Sequence, residues 1–313
     1  MLRSMSENNL ASRELMQRIR ANQKKRKKKF GFDSVSPYLY ILPSLALFSL
    51  FVFYPFVRTI YLSFQMTNST GEVVKYYALK NYTKTFSSPI FKNVMGVTFS
   101  FAIRVVVGSL LLGLTAALLA NIRYRGRAFA RTCFALPMAI SSACIAVIAS
   151  FLLHPTNGLI NSLIGKDINW THDKAYALTT VSVVTVWLSV GMNYIFLIAA
   201  LQGVDVELYE AAAIEGVNFF QKNWHITLPS ISPTLFYLLI INVTHSFQAY
   251  AQVNLLTGGG PGQATRIIVY QIYEEAFRNG KYGTAAAQSV VLFAIIFILT
   301  LIEFIGEKKV TYS

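Results

Sequence analysis

The sequence predicts an all-α integral membrane protein with six transmembrane helices, and three observations lead to that fold class. Of the 313 residues, 54% are hydrophobic, only 13% are charged and the mean hydropathy is +0.47. A soluble domain has about a quarter charged residues, so the deficit predicts a large surface that faces lipid. Apolar runs of about 20 residues, the length that crosses a bilayer as a helix, occur six times.

The apolar runs set the boundaries of the predicted elements. The first predicted span covers residues 38–64 and contains Pro43 and Pro55, which predict local irregularities. The other five spans are predicted at residues 93–121, 132–153, 175–201, 233–256 and 284–305. The expected organisation is a basic tail of residues 1–36, a membrane domain of residues 37–305 and a second tail of residues 306–313.

The distribution of basic residues predicts that both termini lie in the cytoplasm. The net charge is +14, and residues 24–29 are six consecutive basic residues just before the first span. With the N-terminus inside, inner segments carry 17 Lys and Arg residues and outer loops carry nine, in agreement with the positive-inside rule. Because this charge lies mainly at the ends of apolar runs, we expect contact with anionic lipid and no nucleic-acid partner. The cell membrane is the expected location.

A polar-ended loop at residues 202–232, between the fourth and fifth spans, has the features of a docking element. Asp205 is a candidate N-cap, and Gly216 can take the left-handed conformation that ends a helix. The pattern predicts a helix, a sharp turn and a second short helix on the cytoplasmic side. Glu210 and Glu215 supply negative charge for Arg or Lys of a partner.

Three motifs identify a family by resemblance. The first is the loop itself, which resembles the EAA signature of binding-protein-dependent ABC importer permeases; the residues that carry the resemblance are Glu210, Ala211, Ala212, Glu215, Gly216, Ile226, Leu228 and Pro229. A TxGGP segment resembles the maltose and glycerol-3-phosphate permease branch, on Thr257, Gly259, Gly260 and Pro261. The third motif is Tyr282-Gly283 followed by three alanines at 285–287, where the last span begins.

The resemblance implies a type I ABC importer permease fold and a set of partners. The EAA loop of that family is a coupling helix that sits in a groove on a cytoplasmic ATPase subunit. The implied partners are a second homologous permease, two ATPase subunits and an extracytoplasmic solute-binding protein. ATP and Mg are implied to be bound by the ATPase, so this chain is expected to be no enzyme and to hold no cofactor. Consistent with that, the sequence has no G-x-x-x-x-G-K-[ST] phosphate loop, and its four histidines lack metal spacing.

Polar residues within the spans predict where a solute passes, because such residues face the protein interior. A stripe at three- and four-residue spacing runs along the fifth span, and a second group lies in the fourth span beside Trp187. The candidate pathway residues are Leu188, Ser189, Met192, Asn193, Asn242, His245, Ser246, Ala249 and Gln252. For each single residue, a hydrogen bond between helices remains an equal alternative.

The function predicted from these observations is import of a sugar or an oligosaccharide, since amides and aromatic faces suit hydroxyl-rich solutes. Import of glycerol-3-phosphate or another polar solute is the alternative within the same class. An ion-coupled secondary transporter would need acidic residues within the spans, and Glu303 at a span end is nearly alone there. Arg104, midway in the second span, leaves two roles open: attraction of an anionic solute or pairing with the partner permease.

Overall fold

The computed structural model describes Arg18, residues 32–122 and residues 124–311. Almost the whole predicted N-terminal tail lies outside these residues. The chain divides into two compact units, with the boundary between Arg58 and Thr59. In the first unit, helix α1 (Phe32–Phe48) passes through a π-helical turn (Ser49–Phe53) into the start of α2 (Tyr54–Ser63).

The second unit opens with a small polar cap that precedes the helical bundle. Strands β1 (Gln65–Thr67) and β2 (Val73–Tyr76) form an antiparallel hairpin, which α3 (Lys80–Ser87) follows. The Asn81 amide donates 2.9 Å hydrogen bonds to the carbonyls of Ser63 and Gln65, and the Gly283 amide donates to Thr67 Oγ1 at 3.1 Å. The Asn81 bonds join α3 to the end of α2 and to β1, and the Gly283 bond attaches the hairpin to the beginning of the last helix.

Two long helices form the centre of the bundle, α4 (Pro89–Asn121) and α8 (Ala177–Gln202). Ser88 caps α4, with its hydroxyl accepting from the Phe91 amide, and Pro89 occupies the first turn, where its missing N–H has no partner to lose. Buried alanines of α4 at 116, 117 and 120 pack in one cluster with large apolar side chains of α8, such as Leu197. The other helices are α5 (Arg127–Ala135), α6 (Ser142–Leu152), α7 (Leu159–Ile164), α9 (Val206–Ile214), α10 (Phe219–Lys222), α11 (Leu228–Phe247), α12 (Ala251–Leu256), α13 (Ile268–Tyr273) and α14 (Tyr282–Thr311).

Five helices of the described chain are long and apolar enough to cross a membrane, and a bent pair brings the number to six. The five are Pro37–Ser63, Pro89–Asn121, Ala177–Gln202, Phe219–Phe247 and Tyr282–Gly306. This confirms the predicted fold class. The last helix continues to Thr311, so residues predicted as a tail prolong it.

The prediction of one helical span at residues 132–153 is wrong, because these residues do not form one helix. Helix α5 and the 3₁₀ turn Leu136–Ala139 meet α6 at an angle of 105°. Pro137 lies in the 3₁₀ turn, Ile140 is extended, and the Ser141 hydroxyl accepts from the Cys144 amide to begin α6. The sequence did contain the signal for this break, a proline followed by serine caps.

The predicted bounds of the fifth span, residues 233–256, are also wrong at both ends. The helix begins at Phe219, runs through a π-helical turn (Asn223–Thr227) into α11 and ends at Phe247. The chain then leaves helical geometry before α12 begins at Ala251. Neither proline nor glycine occurs at this break, so local sequence could not place it.

Close contact between α4 and α8 depends on Gly113. A Cβ at Gly113 would lie 2.6 Å from the Cβ of Asn193, whereas a Cβ at Gly96 of the same helix would meet nothing within 4 Å. We expect Gly113→Ala to lower the stability of the purified chain by about 1–3 kcal/mol, because the helices must separate. Gly96→Ala is the matched control and should be neutral or stabilising by up to about 1 kcal/mol. Thermal unfolding in detergent measures both, and equal melting temperatures for the two variants would contradict the contact.

Candidate functional site

A cavity of about 560 Å³ opens among α8, α11, the break after α11 and the break in the third span. It brings together eight of the nine predicted pathway residues, namely Leu188, Ser189, Met192, Asn193, Asn242, His245, Ala249 and Gln252. Ser246 is absent from the lining: its side chain is fully buried and donates to the Val243 carbonyl at 2.7 Å. The predicted stripe is therefore not the face of one helix, since Ala249 and Gln252 follow the end of α11.

Two of the cavity residues bond to each other across helices. The Asn193 amide donates to Asn242 Oδ1 at 3.1 Å, and the Asn242 amide donates to Asn193 Oδ1 at 2.7 Å. Each amide also donates within its own helix, to the Ser189 and Leu238 carbonyls. Both side chains are buried, so this reciprocal pair holds α8 against α11 and has no free donor to offer a solute.

The side chains that remain available in the cavity are those near the break after α11. His245 and Gln248 are exposed, and within the described part of the chain the His245 ring nitrogens have no hydrogen-bond partner. The turn after Phe247 points the following residues into the same space, including Tyr250 and Gln252. This end of the cavity can donate and accept hydrogen bonds.

Sequence reasoning missed one wall of the cavity altogether. The break in the third span contributes Pro137, Met138, Ile140 and Ser142. It reaches the cavity because Gly191 of α8 lets the chain approach: a Cβ there would lie 2.8 Å from the Met138 amide nitrogen. Pro137 and the cap residue Ser141 are the local signals in the sequence for this wall.

The TxGGP segment forms a tight turn after α12. Gly258, Gly259 and Gly262 all have positive φ, which glycine adopts without strain, and the Thr265 hydroxyl donates to the Gly260 carbonyl at 2.7 Å. A Cβ at Gly259 would lie 2.6 Å from the buried ring of Tyr270, so the turn packs directly on that ring. Burial of the Tyr270 hydroxyl, together with the nearby Glu274 carboxylate, raises the pKa of this tyrosine. The segment reaches the cavity only indirectly, through Tyr270, whose ring stacks with Tyr250 of the cavity lining.

The cytoplasmic loop has the predicted helix and turn. Helix α9 ends on Gly216, whose φ of +71° is left-handed, as expected. The Gly216 amide donates to Ala213 at 3.2 Å, and the Val217 amide donates to Ala212 at 3.0 Å. These two bonds make a Schellman motif, which reverses the chain. Asp205 holds the N-cap position, but its side chain makes no capping hydrogen bond.

The second half of the loop is joined rigidly to the fifth span. Asn218 and Gln221 form a capping box that begins α10, and α10 continues into α11 without a break. The Tyr209 hydroxyl lies 3.3 Å from Thr227 Oγ1, and Lys222 lies over the Tyr209 ring. These two contacts join α9 to the start of the helix that lines the cavity.

The surface of this loop combines apolar and acidic groups that no other described part of the chain covers. Ile214 is 88% exposed, Phe220 82% and Trp224 71%. Of the predicted coupling residues, Ala212 is buried, Ile226 and Leu228 are half-buried, and Glu210, Ala211, Glu215, Gly216 and Pro229 are exposed. Exposed large apolar side chains on a polar loop are typical of a protein-binding surface.

Comparison with known proteins gives a consistent result. The family described as binding-protein-dependent transport system inner membrane component matches residues 109–312. The chain is 33% identical over 282 residues to the sn-glycerol-3-phosphate transport system permease protein UgpA of Salmonella typhimurium strain LT2, covering 88% of this chain and 96% of that protein. It is 31% identical over 286 residues to the UgpA of Agrobacterium fabrum strain C58, covering 90% and 98%.

Solved structures show the same fold. A bacterial ABC transporter involved in the import of the acidic polysaccharide alginate has a chain that matches with a TM-score of 0.79 at 20% identity, over 90% of this chain and 99% of that one. The alginate transporter in complex with a periplasmic protein bound to an alginate pentasaccharide matches with a TM-score of 0.78 at 21% identity, over 90% and 98%.

Proposed function

This chain belongs to the family of binding-protein-dependent transport system inner membrane components, and from that premise we propose that it forms half of the solute pathway of a sugar or oligosaccharide importer. It is a multi-pass membrane protein, in agreement with its apolar helices. Chemical energy comes from separate ATPase subunits in such importers, and ATP and Mg belong to those subunits. Among the described residues, no group of three His, Cys, Asp or Glu side chains could hold a metal.

The observation that carries the cargo proposal is the uncharged lining of the central cavity. Among its described lining residues there is no Asp, Glu, Lys or Arg, and His245 is the only basic side chain. Gln248 and Gln252 offer amide donors and acceptors, and Tyr250 offers an aromatic face. Hydroxyl groups of a sugar can bond to such amides, and its CH faces can lie on the ring.

Import of glycerol-3-phosphate is a second candidate, which the names of the relatives favour. A phosphate is usually bound by Arg or Lys, or by backbone amides at a helix N-terminus. In the cavity of this chain only His245 can supply positive charge, so this cargo would depend on that residue or on the second permease. The uncharged lining therefore supports a sugar.

The coupling part of the proposal rests on the cytoplasmic loop. We propose that Glu210, Ala211, Ala212, Glu215 and Gly216 meet a groove of one ATPase subunit, and that a second permease brings an equivalent loop to the other. The predicted coupling residues Ile226, Leu228 and Pro229 lie where the loop joins the fifth span. Closure of the ATPase pair would then move α9, and the continuous helix from Phe219 would transmit that movement to the cavity.

Reconstitution tests this function directly. The chain is purified with its second permease, ATPase subunits and binding protein, placed in liposomes and given neutral oligosaccharides, an oligo-uronate or glycerol-3-phosphate. We expect neutral oligosaccharides to stimulate ATP hydrolysis and to enter the liposomes. Stimulation by glycerol-3-phosphate alone would favour the second candidate, and recovery of the chain without any ATPase would contradict both.

A neighbouring pair of residues in α11 separates cavity lining from helix packing. We expect His245→Leu to reduce transport of the cargo by about tenfold, because one lost hydrogen bond to a bound solute costs roughly 1–2 kcal/mol. Ser246→Ala is the control, since its hydroxyl bonds within α11 outside the cavity. Transport rates at saturating and limiting cargo measure the effect. If both variants transport every solute at the wild-type rate, the assignment of the cavity to the pathway is wrong.

A further inference from the structure

A second groove, of about 650 Å³, lies on a different face of α8 from the central cavity. It runs between α4, α5 and α8 and has Arg104 of α4 in its lining. Its walls are mostly apolar and partly exposed: Leu112 is 53% exposed and Val183 60%. The question is what covers an apolar groove that contains an arginine.

Arg104 lies near the middle of α4, a 33-residue helix that is apolar enough to cross a membrane. It is fifteen residues after Pro89 and seventeen before Asn121, at the two ends of α4. At about 1.5 Å per residue, it is roughly 22 and 26 Å from those ends. Since the hydrocarbon core is about 30 Å thick, neither interface is near, and a charge at this depth costs roughly 2.5–3.5 kcal/mol on insertion scales.

The described chain satisfies only a small part of the hydrogen-bonding capacity of the Arg104 guanidinium. Arg104 Nη1 donates to Thr179 Oγ1 at 2.9 Å, and within the described residues no carboxylate forms an ion pair with it. A guanidinium has five N–H donors, so most of its hydrogen-bonding capacity is unused. Lipid acyl chains carry no hydrogen-bond acceptor, so lipid in the groove would leave these N–H donors without partners.

We propose that this groove receives a transmembrane helix of the second permease subunit, and that this helix places a carboxylate beside Arg104. The inference rests on the proposed function, which supplies the second permease. The occupant must be apolar to match Leu112 and Val183, and must carry negative charge to match Arg104. A protein helix with one acidic residue meets both requirements.

The groove is suited to close helix contact as well as to charge pairing. Thr115, Ala116 and Ser182 are small residues in its lining. Small residues let two membrane helices approach closely, and buried hydroxyls bond across such interfaces. The ion pair would then be surrounded by protein and excluded from water.

Photo-cross-linking tests the identity of the occupant. The photoreactive residue p-benzoylphenylalanine is placed at Val183 in the groove and, as a control, at Ile298 of α14, which is similarly exposed and lines neither cavity. Irradiation of membranes containing the complete transporter should join Val183 to the second permease more than Ile298, at a segment that carries Asp or Glu. Lipid adducts alone at Val183, or equal yields at the two positions, would overturn the proposal.

Substitutions test the charge. We expect Arg104→Leu to reduce co-purification of the second permease by about tenfold, which corresponds to roughly 1.4 kcal/mol. Thr179→Val removes the internal hydrogen bond alone and should leave recovery near wild type. Replacing the mapped partner carboxylate with leucine in the Arg104→Leu background should restore assembly, because an apolar pair removes both charges. If Arg104→Leu assembles normally, or loses only the transport of anionic cargo, the groove does not seat this helix.

Failure of the groove inference can be distinguished from failure of the proposed function. If the wild-type chain is recovered with neither a second permease nor an ATPase, the function itself fails. If the wild-type complex assembles and transports while Val183 gives only lipid adducts, the function stands and the groove inference alone fails.

Discussion

Gly216→Val is expected to cause a large loss of stimulated ATP hydrolysis and transport while leaving the chain inserted in the membrane. Gly216 has φ of +71° at the end of α9, a conformation that costs an L-residue about 1–2 kcal/mol and a β-branched residue more. No atom lies within 4 Å of a Cβ built there, so the effect comes from the backbone and not from a clash within the chain. A changed turn would misdirect α9 relative to α10, and we expect at least about a tenfold loss of coupled activity.

Gly126→Val is a closely matched control for this prediction. Gly126 has φ of +89°, also has no atom within 4 Å of a built Cβ, and lies in the other predicted cytoplasmic loop. It should carry a similar conformational cost without uncoupling transport. Membrane level, co-purified ATPase and stimulated ATP hydrolysis are measured for both variants. Equal activity of the two would show that the turn at Gly216 has no special role in coupling.

The second large effect is expected from breaking the reciprocal amide pair between α8 and α11. Asn242→Leu leaves the buried Asn193 amide without its cross-helix partner, and Asn193→Leu does the same to Asn242. Each single variant should lose about 1–2 kcal/mol of stability, because an unpaired buried amide is costly. The double variant should be more stable than the sum of the two losses predicts, since no amide remains unpaired.

Ser189→Ala serves as the control for the amide pair. Ser189 lines the same cavity, but its hydroxyl donates to the Thr185 carbonyl within α8. Its replacement should change the melting temperature of the purified chain little. Strict additivity of the two asparagine substitutions in thermal unfolding would show that the pair contributes no coupling energy, and both residues would again be candidates for direct solute contact.

The outcome of the sequence predictions differs between local and tertiary features. The helix end at Gly216 could be predicted because glycine there is a local requirement of the turn. Eight of the nine predicted pathway residues line the cavity, and five of these eight are polar side chains, which in lipid-spanning helices must face protein or water. Ser246 does not line the cavity, because its hydroxyl donates to the Val243 carbonyl, an option that every helical serine has. The break after Phe247 has no glycine or proline and left no local signal.

Hydropathy alone therefore determined that this chain is a membrane protein with six apolar segments of spanning length. Motif spacing alone determined that it carries the coupling signature of its family. Those properties depend on residue type and chain order, which a sequence states completely. Only the tertiary structure decided that the third run bends by 105°, that Asn193 and Asn242 bond to each other, and that Arg104 faces a groove apart from the central cavity. These features depend on which surfaces meet in space, through contacts such as Gly191 against Met138, and hydrophobicity along the chain carries no record of them.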